Sequence, residues 1–118
     1  MALRMSCIAV DAHDPPRLAT FWSEALGWPM NVGDDGDVEV WTEGAPGVPI
    51  LFLKVPEDKA VKNRLHIDLS PDDQAAEVAR LEDLGATRTS IGQTGEESWV
   101  VLADPEGNEF CVLAPEEV

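Results

Sequence analysis

Two stretches of the chain carry an apolar stripe at helical spacing, and each sits inside the same order of short β-prone runs. Leu18, Phe21, Trp22, Ala25 and Leu26 recur at i, i+3, i+4, i+7 and i+8, the signature of one buried face of an amphipathic helix. Asp14 is placed to cap that helix, with Pro15 at its first position, where a missing N–H costs nothing. Gly27 suits the left-handed position just past its end. Ala75, Val78 and Leu81 form a weaker stripe later in the chain. Ser70, Pro71 and Asp73 give it a capping-box-like start, and Glu77 with Arg80 makes an i, i+3 pair. Strands are predicted over 5–11, 28–32, 38–42 and 49–55 around the first helix, and over 65–69, 86–91, 97–103 and 109–114 around the second. Asp104-Pro105-Glu106-Gly107 is a type I turn sequence, with Asp at i, Pro at i+1 and Gly at i+3.

The chain therefore reads as one unit written twice. Leu26-Gly27 and Leu84-Gly85 close the two helices at an offset of 58, from 27 to 85. VWTEGAPGVPILFL from Val40 lines up with VVLADPEGNEFCVL from Val100 at an offset of 60, from 40 to 100. Pro56 to Asn63, charged and poor in apolar residues, reads as the linker. The prediction is a single α+β domain over 1–118, with module 1 at about 3–56 and module 2 at about 63–115. Two βαβββ modules would form an open, curved eight-stranded mixed sheet, with the helices on its convex side. Such a sheet encloses a concave cavity, where a small molecule would bind.

Composition narrows the partners. The 118 residues include 23 acids against 8 bases, a net charge of −15, which repels phosphate backbones and anionic membranes and draws cations. Nucleic acid and membrane are therefore not expected as partners. No apolar run approaches the roughly 18 residues that a membrane helix needs. The opening MALRMSCIAVDAHD reads as the first strand and makes a poor signal peptide. Two cysteines, Cys7 and Cys111, offer no disulfide framework, as expected of a cytoplasmic protein. Dinucleotide fingerprints, phosphate-cradling loops and nucleophile elbows are all missing from the sequence.

The duplicated unit, KNRLHIDL, the LEDLGA helix end and WVVLADPEGNEFCVL together resemble the vicinal oxygen chelate superfamily, most closely its glyoxalase-like domain proteins. The resemblance runs from about Ser6 to Pro115. It implies a cavity in which active relatives hold a metal with His, Gln or Glu from the first and last strands of each copy. At those positions this chain offers Cys7, then Leu51 or Phe52 depending on the offset, then His66, then Cys111. Glu109 shares a face with Cys111 but sits two residues out of register. Leucine and phenylalanine cannot bind a metal, so the resemblance implies a small-molecule binding protein with an incomplete metal site and no cofactor. The alternative is a metal-dependent lyase, isomerase or dioxygenase using His66 with Cys7 and Cys111, a soft donor set best matched to Zn²⁺.

The remaining candidates follow from strand alternation. His66 and Asp68 share a face, so the imidazole is a cavity-wall acid or base, or else a satisfied core histidine. Asp11 alternates with Cys7 and Ala9, and either faces a cationic ligand or ends its strand. Trp99 and Trp41 lie on strands, where either can stack on a planar ligand or pack in the core. The expected ligand wall is thus Asp11, Asp68, Trp99 and Cys111 with His66. The expected partners are a cationic or aromatic organic ligand and a second copy of the chain. Homodimerisation would cover sheet edges and build the cavities across the interface.

Overall fold

The computed structural model describes residues 3–89 and 97–115. The elements run β1 (Ile8–Ala12), α1 (Pro15–Leu26), β2 (Met30–Val32), β3 (Val38–Val40), β4 (Ile50–Lys54), β5 (Ile67–Leu69), α2 (Gln74–Leu84), β6 (Thr87–Arg88), β7 (Val100–Ala103) and β8 (Glu109–Val112). The order βαβββ thus occurs twice in an α+β fold. The chain forms two compact units, Met1–Asp58 and Lys59–Val118. Each unit holds one open, four-stranded mixed sheet, ordered β1-β4-β3-β2 in the first and β5-β8-β7-β6 in the second. Positions 90 and 91 of the strand expected over 86–91 lie outside the described residues.

In both units the first and last strands pair in parallel, and the other pairs are antiparallel. Parallel neighbours need a long crossover, and the helix supplies it. The α1 helix is delimited as its sequence demands. Asp14 accepts a hydrogen bond from the Arg17 N–H, Pro15 opens the first turn, and Gly27 takes a left-handed φ of 72° while its N–H bonds the Ser23 carbonyl. Leu18, Ala19, Phe21 and Trp22 are buried, and α1 packs on β2, β3 and β4. Val38, Val40, Ile50 and Phe52 are buried beneath it. Phe21 and Trp22 meet edge to face, with ring centroids 5.3 Å apart.

The second unit repeats this plan with different fastenings. The cap of α2 is Asp73, whose carboxylate accepts from the Ala76 N–H; the capping-box start expected at Ser70 is displaced by three residues, because a carboxylate directly before the helix reaches its free N–H groups. Glu77 and Arg80 pair as expected, at 2.8 Å. The Gln74 amide donates to the carbonyls of Ser98 and Val112, tying the helix start to β7 and β8. Val78 and Leu81 bury against the sheet side that carries Leu102, Phe110 and Val112. In the β7–β8 turn the Gly107 N–H bonds the Asp104 carbonyl at 2.8 Å. Asp104 is buried, and its carboxylate is satisfied by the N–H groups of Glu106 and Asn108 and by the Asn108 amide.

The segment read as linker is fastened rather than loose. Lys59 donates to Glu109 at 2.9 Å, the Asn63 N–H donates to the same carboxylate at 3.0 Å, and the Asn63 amide donates to the Asn108 side chain. Lys59 and Glu109 are largely shielded from water, so the pair is screened less than a surface pair would be. Burial alone would raise the pKa of Glu109, but the Lys59 hydrogen bond, the Asn63 N–H and the ammonium charge together hold it below its ordinary value of 4.5.

Two stability measurements follow. Trp22→Ala should lower the unfolding free energy by about 3–5 kcal/mol, the usual cost of emptying a buried aromatic site, read from urea denaturation. Glu109→Gln should cost about 1–3 kcal/mol at pH 7, since it leaves Lys59 without its charged acceptor. A carboxylate with a lowered folded value contributes stability above its unfolded value and loses it as pH falls through the folded one. The gap between wild type and variant should therefore close below about pH 4.5 in the same titration.

Candidate functional site

The strand registers sort every candidate onto one of two faces in each module. In the first, β1 and β4 align Ala9 with Leu51 and Asp11 with Leu53, while β3 sets Glu39 beside Leu51. These residues lie opposite the helix-covered set of Ile50, Phe52, Val38 and Val40. The helix-free face therefore carries Asp11, Glu39, Leu51 and Leu53. Leu51, not Phe52, occupies the position equivalent to Cys111, and the offset between β4 and β8 is 60, from 51 to 111. Cys7 lies just ahead of β1 and is half-buried. The strand predicted from Met5 begins only at Ile8, whose N–H makes the first bond to the Pro49 carbonyl.

In the second module β5 and β8 align Asp68 with Cys111, and β7 sets Val101 beside Cys111 and Ala103 beside Glu109. Asp68, Cys111 and Glu109 thus share one side of one sheet, while His66 and Trp99, expected on strands, lie just ahead of β5 and β7. Their surroundings differ sharply. His66 is exposed just before β5, Trp99 is 39 % exposed, and Cys111 is buried. The Cys111 thiol is pushed up to about 11, first by burial, then by the Asp68 charge and by a hydrogen bond to Asp68. At neutral pH it is a protonated donor and a poor nucleophile.

The first module presents Leu51 at the position equivalent to Cys111, and both Glu109 oxygens are engaged by Lys59 and Asn63. Among the described residues no group of three or more His, Cys, Asp or Glu side chains is placed to hold a metal ion. The helix-free faces carry leucines bordered by carboxylates in the first module and a buried thiol beside Asp68 in the second.

Sequence reasoning overlooked two participants. Glu39 reaches the helix-free face and bonds the Asn31 amide at 3.4 Å; the alternation Glu39, Trp41 was the available signal. The Lys59–Glu109 contact spans 50 positions and leaves no local trace.

Comparison with known proteins agrees with this geometry. Residues 7–113 match the model of the glyoxalase-like domain family. No curated protein matches the sequence. Among solved structures, an antibiotic-binding protein from Streptomyces sp. CB03234 is 22 % identical with a TM-score of 0.66, covering 98 % of both chains. The bleomycin-binding protein of bleomycin-producing Streptomyces verticillus, solved with copper(II)-bleomycin, is 17 % identical with a TM-score of 0.59, covering 97 % of this chain and 98 % of that one. Trypanothione-dependent glyoxalase I of Leishmania major is 17 % identical with a TM-score of 0.67, covering 98 % and 89 %. At these identities the likeness is one of fold, and both binding proteins and an enzyme share it. The family match over nearly the whole chain decides the membership: this protein belongs to the glyoxalase-like domain family.

Proposed function

We propose that the protein binds a small organic ligand, aromatic and positively charged, on the helix-free faces of its sheets, without a metal cofactor. The observation that carries this reading is the fate of the would-be ligand positions. Leu51 is apolar, and Cys111 is held as a neutral thiol by burial and Asp68. Asp11, Glu39 and Asp68 bring carboxylates to the same faces, and the net charge of −15 supplies a field that favours cations at encounter. Antibiotic- and bleomycin-binding proteins are among the structures that share this fold. The unpaired thiols of Cys7 and Cys111 fit a cytoplasmic setting; no described helix is long and apolar enough to cross a membrane.

Pairing of two copies belongs to the same reading. β1 and β5 are edge strands, and apolar side chains stand exposed beside them: Leu3 and Met5 ahead of β1, Ile8 within it, and Leu65 ahead of β5. Bare edges flanked by apolar residues need cover, and a closed two-fold contact supplies it most economically.

Metal-free bleomycin, a cationic molecule with an aromatic tail, is the first probe. A ligand in hundredfold excess over its dissociation constant should stabilise the fold by about 2.7 kcal/mol and raise the melting midpoint accordingly, whereas Zn²⁺ added to chelator-treated protein should leave the midpoint unchanged. Stabilisation by Zn²⁺ that disappears in His66→Ala would instead favour the metal-dependent alternative. Sedimentation at low micromolar protein and physiological salt should show a dimer that tightens as salt screens the like charges. A chain that stays monomeric under all salt conditions would exclude the shared-interface arrangement.

A further inference from the structure

We propose that the helix-free face of the first module binds a dication, two ammonium groups carried on one apolar spacer, with Asp11 and Glu39 holding the two ends. This rests on the binding reading and narrows its ligand. In the interior strand β4, Leu51 and Leu53 alternate to that face and are half-buried. Asp11 stands beside Leu53 on one side, and Glu39 stands beside Leu51 on the other. The two acids therefore lie diagonally across a pair of leucines, two strands and two residues apart. Neighbouring strands are about 4.8 Å apart and each residue adds about 3.3 Å, which sets the two α-carbons roughly 12 Å from each other. That span is close to the nitrogen-to-nitrogen length of extended 1,8-diaminooctane.

Asp11 is exposed and Glu39 half-buried, so a guest can reach both. Glu39 accepts from the Asn31 amide at 3.4 Å, a contact that orients the carboxylate without neutralising it. Among the strand residues of this sheet the only base is Lys54, which alternates to the helix side and gives its ammonium to the His13 carbonyl at 2.7 Å. A spacer of aliphatic or aryl carbon covers the leucines while each end meets an opposite charge. A monoamine of the same length leaves one carboxylate unmatched, so charge complementarity selects the dication. The second module has no such face. Val101 takes the place of Glu39 there and is 2 % exposed, and Cys111 takes the place of Leu51 and is 8 % exposed.

The test titrates the full chain at low salt with 1,8-diaminooctane, 1,4-diaminobutane and octylamine, followed by two-dimensional amide NMR. The long diamine should bind about fivefold more tightly than either comparison compound, the effect of one surface ion pair. Glu39→Gln and Asp11→Asn should each bring the ratio of diamine to octylamine affinity to about one. That ratio is taken within each variant and is therefore insensitive to a change in stability. Asp72→Asn, which removes a charge elsewhere, should keep the wild-type ratio. Equal binding of the three compounds by wild type, a fivefold ratio that persists in either site variant, or its loss in Asp72→Asn would overturn the proposal. If neither diamine binds while metal-free bleomycin stabilises the protein, the proposal falls and the binding reading stands. If bleomycin fails as well, both fall together.

Discussion

Everything functional in this molecule depends on the parallel pairing of the first and last strands of each module. Parallel partners cannot be joined by a hairpin, so the chain must leave the sheet, cross it as a helix and return. That crossover covers one face of the sheet and leaves the other without a helix. Because side chains alternate along a strand, a slip of one residue would exchange the two faces wholesale. The register of Leu51 opposite Ala9, and of Cys111 opposite Asp68, is thus a functional statement as much as a structural one. Phe52 and Val112, one residue further on, belong to the helix side and are buried there.

Charge is handled differently on the two edges of the β8 strand. Glu109, at its start, is compensated: an ammonium and a backbone N–H meet its oxygens, and it stays ionised at the margin of the sheet. Cys111, two residues on, is treated in the opposite way, since burial and the Asp68 carboxylate both oppose a second negative charge. One strand therefore keeps a carboxylate charged for structure and a thiol neutral on the open face. The carboxylate doubles as the anchor of the segment that enters the second module.

The helices were the most legible part of the sequence because their signals are local. Spacing, an acidic cap, proline at the start and glycine at the end fixed Pro15–Leu26 to the residue. The second helix carried its cap as clearly, but Ser70 and Asp73 competed for it; the carboxylate nearest the first turn wins because its reach to free N–H groups is shortest. Asp104 was legible as a turn residue, yet its burial was not, since this depends on Asn108 folding back upon it. The candidate face was readable through alternation, which grouped His66 with Asp68 and Glu109 with Cys111. What alternation cannot supply is registration between strands 40 or more residues apart. The choice between Leu51 and Phe52, and the partnership of Lys59 with Glu109, both wait on that long-range fact.

Duplication has preserved the scaffold and released the lining. Helix-side positions stay apolar in both copies, with Ile50 and Phe52 matched by Phe110 and Val112, because a core that must exclude water tolerates little else. On the open faces the equivalent positions share no chemistry: Leu51 stands where the second copy has Cys111, Ala9 where it has Asp68, and Trp41 where it has Ala103. A metal centre built from both copies constrains the lining of both at once, since each must contribute ligands of matching hardness and reach. With Leu51 at one of those positions that mutual constraint is absent, and the open faces of the two copies differ in chemistry. The contrast between an aromatic, acidic face in one copy and a thiol–carboxylate face in the other is what such a release would leave behind.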